Sequence, residues 1–472
     1  MNFETLYSWV RGLPIVDWHN HLDMRMLAED KPLGSLYEVW VKADPYKHRA
    51  MRICGEPERV ITGDASEDEK WAAWTRTLPK LVGNPLFAWA KMELEKFKVE
   101  SGKFKVVDGE AKIENVSLSE WTPSKMLKKF NVEYLSPCVG AREFLTGFTR
   151  FTGLRDEKGM NPVNPVNPVQ NNYKVTPSLR MNASDEIPVE ALEKFDSAGC
   201  RVVDISVDDA SQLSTFNSQL STVAAYAAAH GWTMLLHLGA LRETSARLRA
   251  AAGPAGGFAG MRAPVDPAAV AAFLNGLEST HNVFGRKERK GRKGISAHSA
   301  SLGTRFARLG RFPMGRAHPQ GAVTRLCVKH NPDQNSLPRT ILLSLNPEAH
   351  ASLAVLAGSF NGAGLPGKVQ LGPAWWWCDH EEGIRDVLEK NAAYGVLSTF
   401  VGMTTDSRSL LSFVRHDYFR RILCKWVAEK VASGSFPDDE SLLRPMMENI
   451  CYKNAKRVFS RPVNLVNPVN PV

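Results

Sequence analysis

Eight short apolar runs of β type punctuate the chain: 13–18, 132–137, 173–177, 201–206, 233–238, 339–345, 368–372 and 398–404. Most are apolar on both faces, the pattern of strands buried inside a parallel sheet. Helical periodicity separates many of them, as in Gln219–Ala229 and His380–Tyr394. Eight such units predict an α/β chain closed into a (β/α)8, TIM-like barrel. The long gap after the first run is helical. Ser66-Glu67-Asp68-Glu69 has capping-box spacing, Trp71, Trp74 and Leu78 follow at helical intervals, then Asn84-Pro85 breaks the helix and Leu86–Phe97 starts another. The barrel is therefore assigned to 1–30 and 116–460, with a helical insertion over 31–115. Near the end, Phe419, Ile422, Leu423, Trp426 and Val427 form one apolar helical stripe, read as core.

Composition changes this picture little. The chain has 472 residues and a hydrophobic content of 43%, enough for one elaborated barrel. Met1–Val10 lacks the apolar core of a secretory signal, and no apolar stretch approaches membrane-spanning length. Cysteines 54, 138, 200, 327, 378, 424 and 451 are scattered without a CxxC, which reads as reduced thiols in a cytoplasmic protein. The net charge of +9 is local: residues 286–330 hold 12 Lys/Arg against one acidic residue, and the rest carries 47 against 49. That segment reads as a flexible surface insert, the sole candidate for a nucleic-acid or other polyanion contact in a chain not otherwise expected to bind nucleic acid. Asn-Pro-Val repeats at 161–169 and 467–472 deny the backbone regular donors. They mark a second flexible insert (158–170) and a disordered tail (461–472).

Chemistry gathers at the C-terminal strand ends of such barrels. Those ends carry His19 and His21 (first), Ser136 (second), Arg180 (just past the third) and Asp204 (fourth). Next come His237 (fifth), Asn346 (sixth), Trp375 and Trp376 (just past the seventh), and Asp406 with Arg408 (eighth). Strand alternation puts His19 and His21 on one face, and the eighth strand of a closed barrel lies beside the first, so Asp406 can join them around a divalent ion, zinc by donor type. Arg180 and Arg408 suit a carboxylate, and a tryptophan offers an apolar wall for a sugar. The glycines of Gly362–Gly367 precede a strand instead of opening a helix, which excludes a Rossmann site.

These residues resemble the uronate (glucuronate) isomerases of the amidohydrolase barrel superfamily. The matching segments include PIVDWHNHL (14–22), YKHRAMRICG (46–55), GNPLFAW (83–89), PSLR (177–180), HLGALR (237–242), WWWCD (375–379) and the long block VGMTTDSRSLLSFVRHDYFRRILC (401–424). The resemblance implies an aldose–ketose isomerase interconverting D-glucuronate and D-fructuronate, or D-galacturonate and D-tagaturonate, through a cis-enediolate. It implies a metal site on His19, His21 and Asp406. Catalytic roles fall on Tyr46, Asp406, Arg408 and His237, substrate contacts on Arg180, Arg408, Trp375, Trp376 and Tyr46, and the assembly is a homo-oligomer. The chain departs from the family at Pro45, where a histidine precedes the tyrosine. It departs again at Leu135–Val139, which replaces Thr-Thr-Asp-Asp-Pro, and around Asp204, where only the aspartate of Ser-Asp-His is kept. The catalytic base is left open among Asp406, an activated water and His48. Two other readings compete: a metal-dependent amidohydrolase or lactonase using His19, His21, His237 and Asp406, and a weakened relative whose basic insert binds a polyanion.

Overall fold

The computed structural model describes residues 1–97, 105–147, 173–209, 211–214, 218–254, 256–290, 337–362 and 364–460. The 158–170 insert, residues 291–330 of the basic segment and the 461–472 tail lie outside the described residues. Among the described residues, seven parallel strands curl into one sheet whose spatial order follows chain order, with a short eighth strand, Lys174–Val175, off this path beside the second: β1 (Ile15–Asn20), β2 (Val132–Gly140), β3 (Ser178–Asn182), β4 (Val202–Val207), β5 (Thr233–Leu238), β6 (Arg339–Ser344) and β7 (Val369–Leu371). Their residues are almost all buried, as helices on the outer face require. Val16, Trp18, Tyr134, Val202, Leu235, Ile341, Leu343 and Val401 form an inner cluster with Ala455, Val458 and Phe459, and Trp18 stacks on Phe459. The C-terminal segment thus plugs one end of the barrel.

Three predicted strands differ in the structure. The second was expected to stop at Pro137, because proline donates nothing to a ladder. Instead β2 runs on: Val132–Pro137 pair with β1 on one side, while on the other side the neighbour changes from Lys174–Val175, beside Tyr134–Leu135, to β3, beside Cys138–Gly140. Cys138, and not Ser136, therefore reaches the rim, while Ser136 is buried and hydrogen-bonded to Ser178. The third main strand lies at Ser178–Asn182, placing Arg180 inside the ladder opposite Gly140 and Asp204. The expected eighth strand opens as a 3-10 turn, Leu397–Thr399, and continues as extended chain without a ladder.

Closure across that eighth position comes largely from side chains. Val401 N donates to the Gln370 side chain of β7 at 3.0 Å. On the other side, Asp406 N donates to His19 O (3.1 Å) and His21 N to Ser407 O (2.8 Å). Asp17 anchors the join. Its Oδ1 accepts from Thr404 Oγ1 (2.9 Å), Thr405 N (2.7 Å) and His416 Nε2 (3.1 Å), and its Oδ2 from Thr405 Oγ1 (2.8 Å) and Asn20 Nδ2 (2.9 Å). Burial lowers the pKa of His416, so it stands neutral and donates.

Between β1 and β2 lie the helices Leu36–Trp40, Pro45–Ile53, Glu67–Thr77 and Pro85–Phe97, together with a small antiparallel hairpin, Lys105–Val107 with Glu110–Lys112. Ser66 and Glu69 make the expected capping box. Trp40, Trp74 and Trp89 pack these helices onto Leu410, Leu411 and Phe413, just after the last barrel segment.

Replacing Asp17 by Ala removes an acceptor for five donors, four of them buried. The expected loss is about 3 kcal/mol, as for a buried charge network with one partner deleted. It is read as a lowered denaturation midpoint; a loss below about 1 kcal/mol, the size of one ordinary hydrogen bond, would show that closure does not depend on this carboxylate.

Candidate active site

A register shift in β1 between Asp17 and Asn20 interrupts strict alternation. Trp18 packs with the inner apolar set, yet His19 next to it reaches Cys138 of β2. His19 Nε2 and His21 Nε2 each lie 3.1 Å from the same oxygen, Asp406 Oδ1. Asp406 is held at φ 48°, a left-handed conformation that turns its carboxylate toward the two imidazoles, and Trp375 Nε1 donates to its Oδ2 at 2.9 Å.

A second set of contacts lies against the first. Cys138 Sγ is 3.1 Å from His19 Nδ1 and 3.6 Å from Asp204 Oδ2. Asp204 Oδ1 lies 2.6 Å from His237 Nδ1, and Arg180 Nε lies 4.0 Å from Asp204 Oδ2. Two groups of donors could hold a metal ion: His19, His21 and Asp406, and His19, Cys138 and Asp204.

Charge follows from this packing. Burial opposes ionisation of Asp406, but the His19 and His21 hydrogen bonds and charges hold its carboxyl well below the usual range. Burial likewise opposes the charge on Asp204, and His237, His19 and Arg180 outweigh it. For His19, burial is overcome by Cys138, Asp204 and Asp406, which raise its pKa. The field around His19 thus favours positive charge. His21 is pushed down to about 4, chiefly by burial, so its imidazole is neutral. Burial pushes the Cys138 thiol up to about 11. Converging nitrogen and carboxylate donors in a field that favours a cation fit a divalent ion, with Cys138 positioned to fix the ring of His19 from behind.

The arginines are placed for an anion. Arg408 has no hydrogen-bond or ion-pair partner among the described residues, and burial together with the charge of Arg180 lowers its pKa. A guanidinium stays protonated nonetheless, so two cations face one site. His237 is nearly fully buried. Its Nδ1 is committed to Asp204, and its Nε2 has no partner among the described residues. Its ring centroid lies 4.8 Å from that of His19 and 4.4 Å from that of Trp375. Trp376 lies tilted against Trp375, with ring centroids 4.7 Å apart, and carries Arg242 over its ring. Tyr46 donates to Asp379 Oδ2 at 3.1 Å.

Some residues from the rim do other work. His48 faces the charges of Asp44, Arg52 and Glu58, away from the histidine cluster. Asn346 caps a 3-10 turn and ties down Arg262 O. Conversely, Cys138, Asp379 and Arg415 reach the site although sequence reading gave them no role. Each lies in or beside a rim segment, but nothing in local pattern shows which way such a side chain turns.

A sequence model described as glucuronate isomerase matches residues 2–138 and 314–459. The chain belongs to the glucuronate isomerase family. The match resumes inside the basic 286–330 segment, so the last part of that segment has a family counterpart. Among curated members, the uronate isomerase of Caldicellulosiruptor bescii is 30% identical, covering 97% of this chain and 96% of its own length. That of Shouchella clausii is 29% identical with the same coverage. In solved structures, the uronate isomerase of Thermotoga maritima superposes with a TM-score of 0.71 at 22% identity over 97% of both chains. The glucuronate isomerase of Caulobacter crescentus gives 0.68 at 18% identity over 97% of this chain and 93% of its own. These superpositions show the same barrel fold. No helix among the described residues is long and apolar enough to cross a membrane.

Trp375→Phe removes the indole donor that fixes the outer oxygen of Asp406. Loss of such an outer contact is expected to weaken metal binding about 10- to 100-fold. Competition with a chromophoric chelator measures it; unchanged affinity would detach Trp375 from the metal centre.

Proposed function

We propose that this chain interconverts D-glucuronate and D-fructuronate, acting on the carboxylate sugar through Arg180 and Arg408. Family membership supports the reaction class. The observation that carries the reading is the meeting of His19, His21 and Asp406 next to two cationic side chains, one of them without a partner of its own among the described residues. A uronate brings an anionic end for the guanidiniums and hydroxyl and carbonyl oxygens for the donor cluster.

A divalent ion, zinc by donor type, would be held by His19, His21 and Asp406, and when bound it supplies Lewis acidity toward sugar oxygens. The remaining steps belong to the chain. Arg180 and Arg408 take the carboxylate and orient the sugar. Trp375 and Trp376 give its C–H face an apolar wall. His237 is the base for the carbon-bound proton. Asp204 accepts from Nδ1–H, which leaves Nε2 as the free acceptor, so the imidazole can take the C2 proton and return it to C1 of the enediolate. Tyr46 handles the hydroxyl proton that must leave O2 and arrive at O1. The assignment of the base to His237 agrees with the loss of the family histidine at Pro45: here proline opens the helix Pro45–Ile53, which Asp44 caps.

A hydrolytic use of the same donors is not favoured by the family match. Purified protein incubated with glucuronate and with galacturonate in deuterated water tests the reaction, with ketose formation and deuterium exchange at the transferred position as readouts. Turnover of neither sugar would reject the reading. Arg408→Lys keeps the charge but loses the planar fork. A drop in kcat/KM of at least about 30-fold is expected, in line with loss of a charge-assisted contact. Kinetics equal to the parent enzyme would take Arg408 out of the site.

A further inference from the structure

We infer that Asp379 stores the hydroxyl proton passed on by Tyr46, so that Tyr46 and Asp379 together form the O2-to-O1 relay. This rests on the isomerase reading and supplies what Tyr46 alone lacks. A phenol that accepts a proton from substrate must give up its own, and the side chain that receives it must be fixed in place.

The geometry provides that acceptor. Tyr46 lies in the first turn of the helix Pro45–Ile53, and Asp379 directly follows the 3-10 turn Trp376–Cys378 after β7. Tyr46 Oη donates to Asp379 Oδ2 at 3.1 Å. Arg415 Nη1 approaches the same oxygen at 3.4 Å and also donates to Thr405 O at 3.2 Å, one residue before Asp406. The guanidinium of Arg415 lies 5.1 Å from the Tyr46 ring centroid and 3.9 Å from that of Trp89. Trp377 closes the other side of Tyr46, with centroids 4.9 Å apart. Tyr46 is therefore clamped with its hydroxyl on Asp379. Asp379 also borders, with Thr404 and Arg415, a cavity of about 20 Å³, room for one water.

The electrostatics agree with this use. Burial raises the Asp379 pKa; Arg415 and the Tyr46 hydrogen bond pull it down, Asp406 pushes it up, and the result is about 7. Tyr46 is raised well above its ordinary value, first by burial and then by Asp379, so it stays a phenol and a donor. The ionisable groups that act on or beside Asp379 are Tyr46, Arg415 and Asp406, with Tyr418 and Cys378 also feeling its charge.

The relay balances. As His237 takes the C2 proton, the O2 hydroxyl proton passes to Tyr46 Oη while the Tyr46 proton passes to Asp379 Oδ2. When the enediolate collapses, Asp379 returns a proton to Tyr46, Tyr46 delivers one to O1, and His237 delivers its proton to C1. An aldose has become a ketose, every side chain is restored, and no oxidant or reductant is needed.

Asp379→Asn keeps size and hydrogen-bond acceptance but cannot take up a proton. Its kcat on glucuronate is expected to fall about 100-fold, the usual scale for one proton-transfer group, with KM within about threefold and metal content unchanged. Because Asp379 must be ionised to receive, kcat of the parent enzyme should rise as pH climbs through about 7, and that limb should vanish in Asp379→Asn. Tyr46→Phe should lose the same limb, and the double variant should be no slower than the slower single one. A kcat for Asp379→Asn within about threefold of the parent, well short of a proton-transfer effect, overturns the relay. So does survival of the limb in either variant, which decides the matter even if the asparagine variant misfolds. Infrared titration without substrate adds an independent readout: a protonated-carboxyl band that disappears near neutral pH and is missing in Asp379→Asn is expected. An active parent enzyme without that band overturns Asp379 as the store. A parent enzyme that shows the band but turns over neither uronate overturns the isomerase reading, and the O2-to-O1 relay with it.

Discussion

The carboxylate of Asp17 holds the ends of the chain together. Seven strands, β1 to β7, line the barrel in ladders, but among the described residues the position between β7 and β1 has no ladder of its own, and an open parallel edge would leave β1 and β7 with unpaired backbone groups. Asp17 solves this from the β1 side by accepting from both threonines that precede Asp406, and His416 fastens the following helix to the same oxygen. Gln370 does the corresponding work on the β7 side. Asp406 meets His19 and His21 because Thr404 and Thr405 are already fixed to the strand that carries those histidines. Closure and site assembly are thus one interaction seen at two depths of the barrel.

That link also governs what could be read from the sequence. The pair His19 and His21, and Asp406 in its distant block, could be placed together because a closed parallel barrel makes first and last strands neighbours, whatever lies between. The apolar runs gave the strands for the same reason: both faces are buried. Rim details were less legible. Pro137 signals the end of a strand, but a strand that exchanges one neighbour for another at that point loses nothing by lacking a donor there, and so Cys138 was hidden. Arg180 fell just outside its predicted run because YKVTP satisfies β periodicity better than SLRMN does, although YKVTP gives the ladder only Lys174–Val175 and SLRMN carries the longer strand. The extended segment before Asp406 has the composition of a strand but is held by side chains, which no periodicity records.

The partners of the site residues were illegible for a further reason. Asp204, Asp379 and Arg415 act through single contacts with residues far away in the chain, and their positions depend on turns such as the one that puts Trp376 at φ 44°. The resulting electrostatic layout is ordered nonetheless. Two buried carboxylates surround His19 and make a place for positive charge, while Arg180 and Arg408 lie close enough to repel each other, with Asp204 near the first and Asp406 and Asp44 acting on the second. One region therefore asks for a cation and its neighbour asks for an anion. A metal and a carboxylate sugar satisfy both demands together, which either ligand alone would leave half met.

Isomerisation sets one more demand, since it moves two chemically different protons. The carbon-bound proton is hard to remove and needs a base with a free, well-aimed lone pair; the hydroxyl proton is easy to move but must travel between two oxygens without being lost to bulk water. A single residue serving both would have to release one before accepting the other. The chain separates them. His237, fixed by Asp204 at the β4–β5 side, presents an Nε2 without a partner among the described residues, and Tyr46, fixed to Asp379 and walled by Trp89 and Trp377, comes from the insertion on the β7 side. Each donor–acceptor pair has its own carboxylate, and the two carboxylates differ in what surrounds them. Asp204 is held ionised by His237, His19 and Arg180, which suits a residue that only orients. Asp379 has one close guanidinium among the described residues against partial burial and the charge of Asp406, which leaves it near the point where it can hold or release a proton. In the proposed relay, that difference between two aspartates is what keeps the two protons apart.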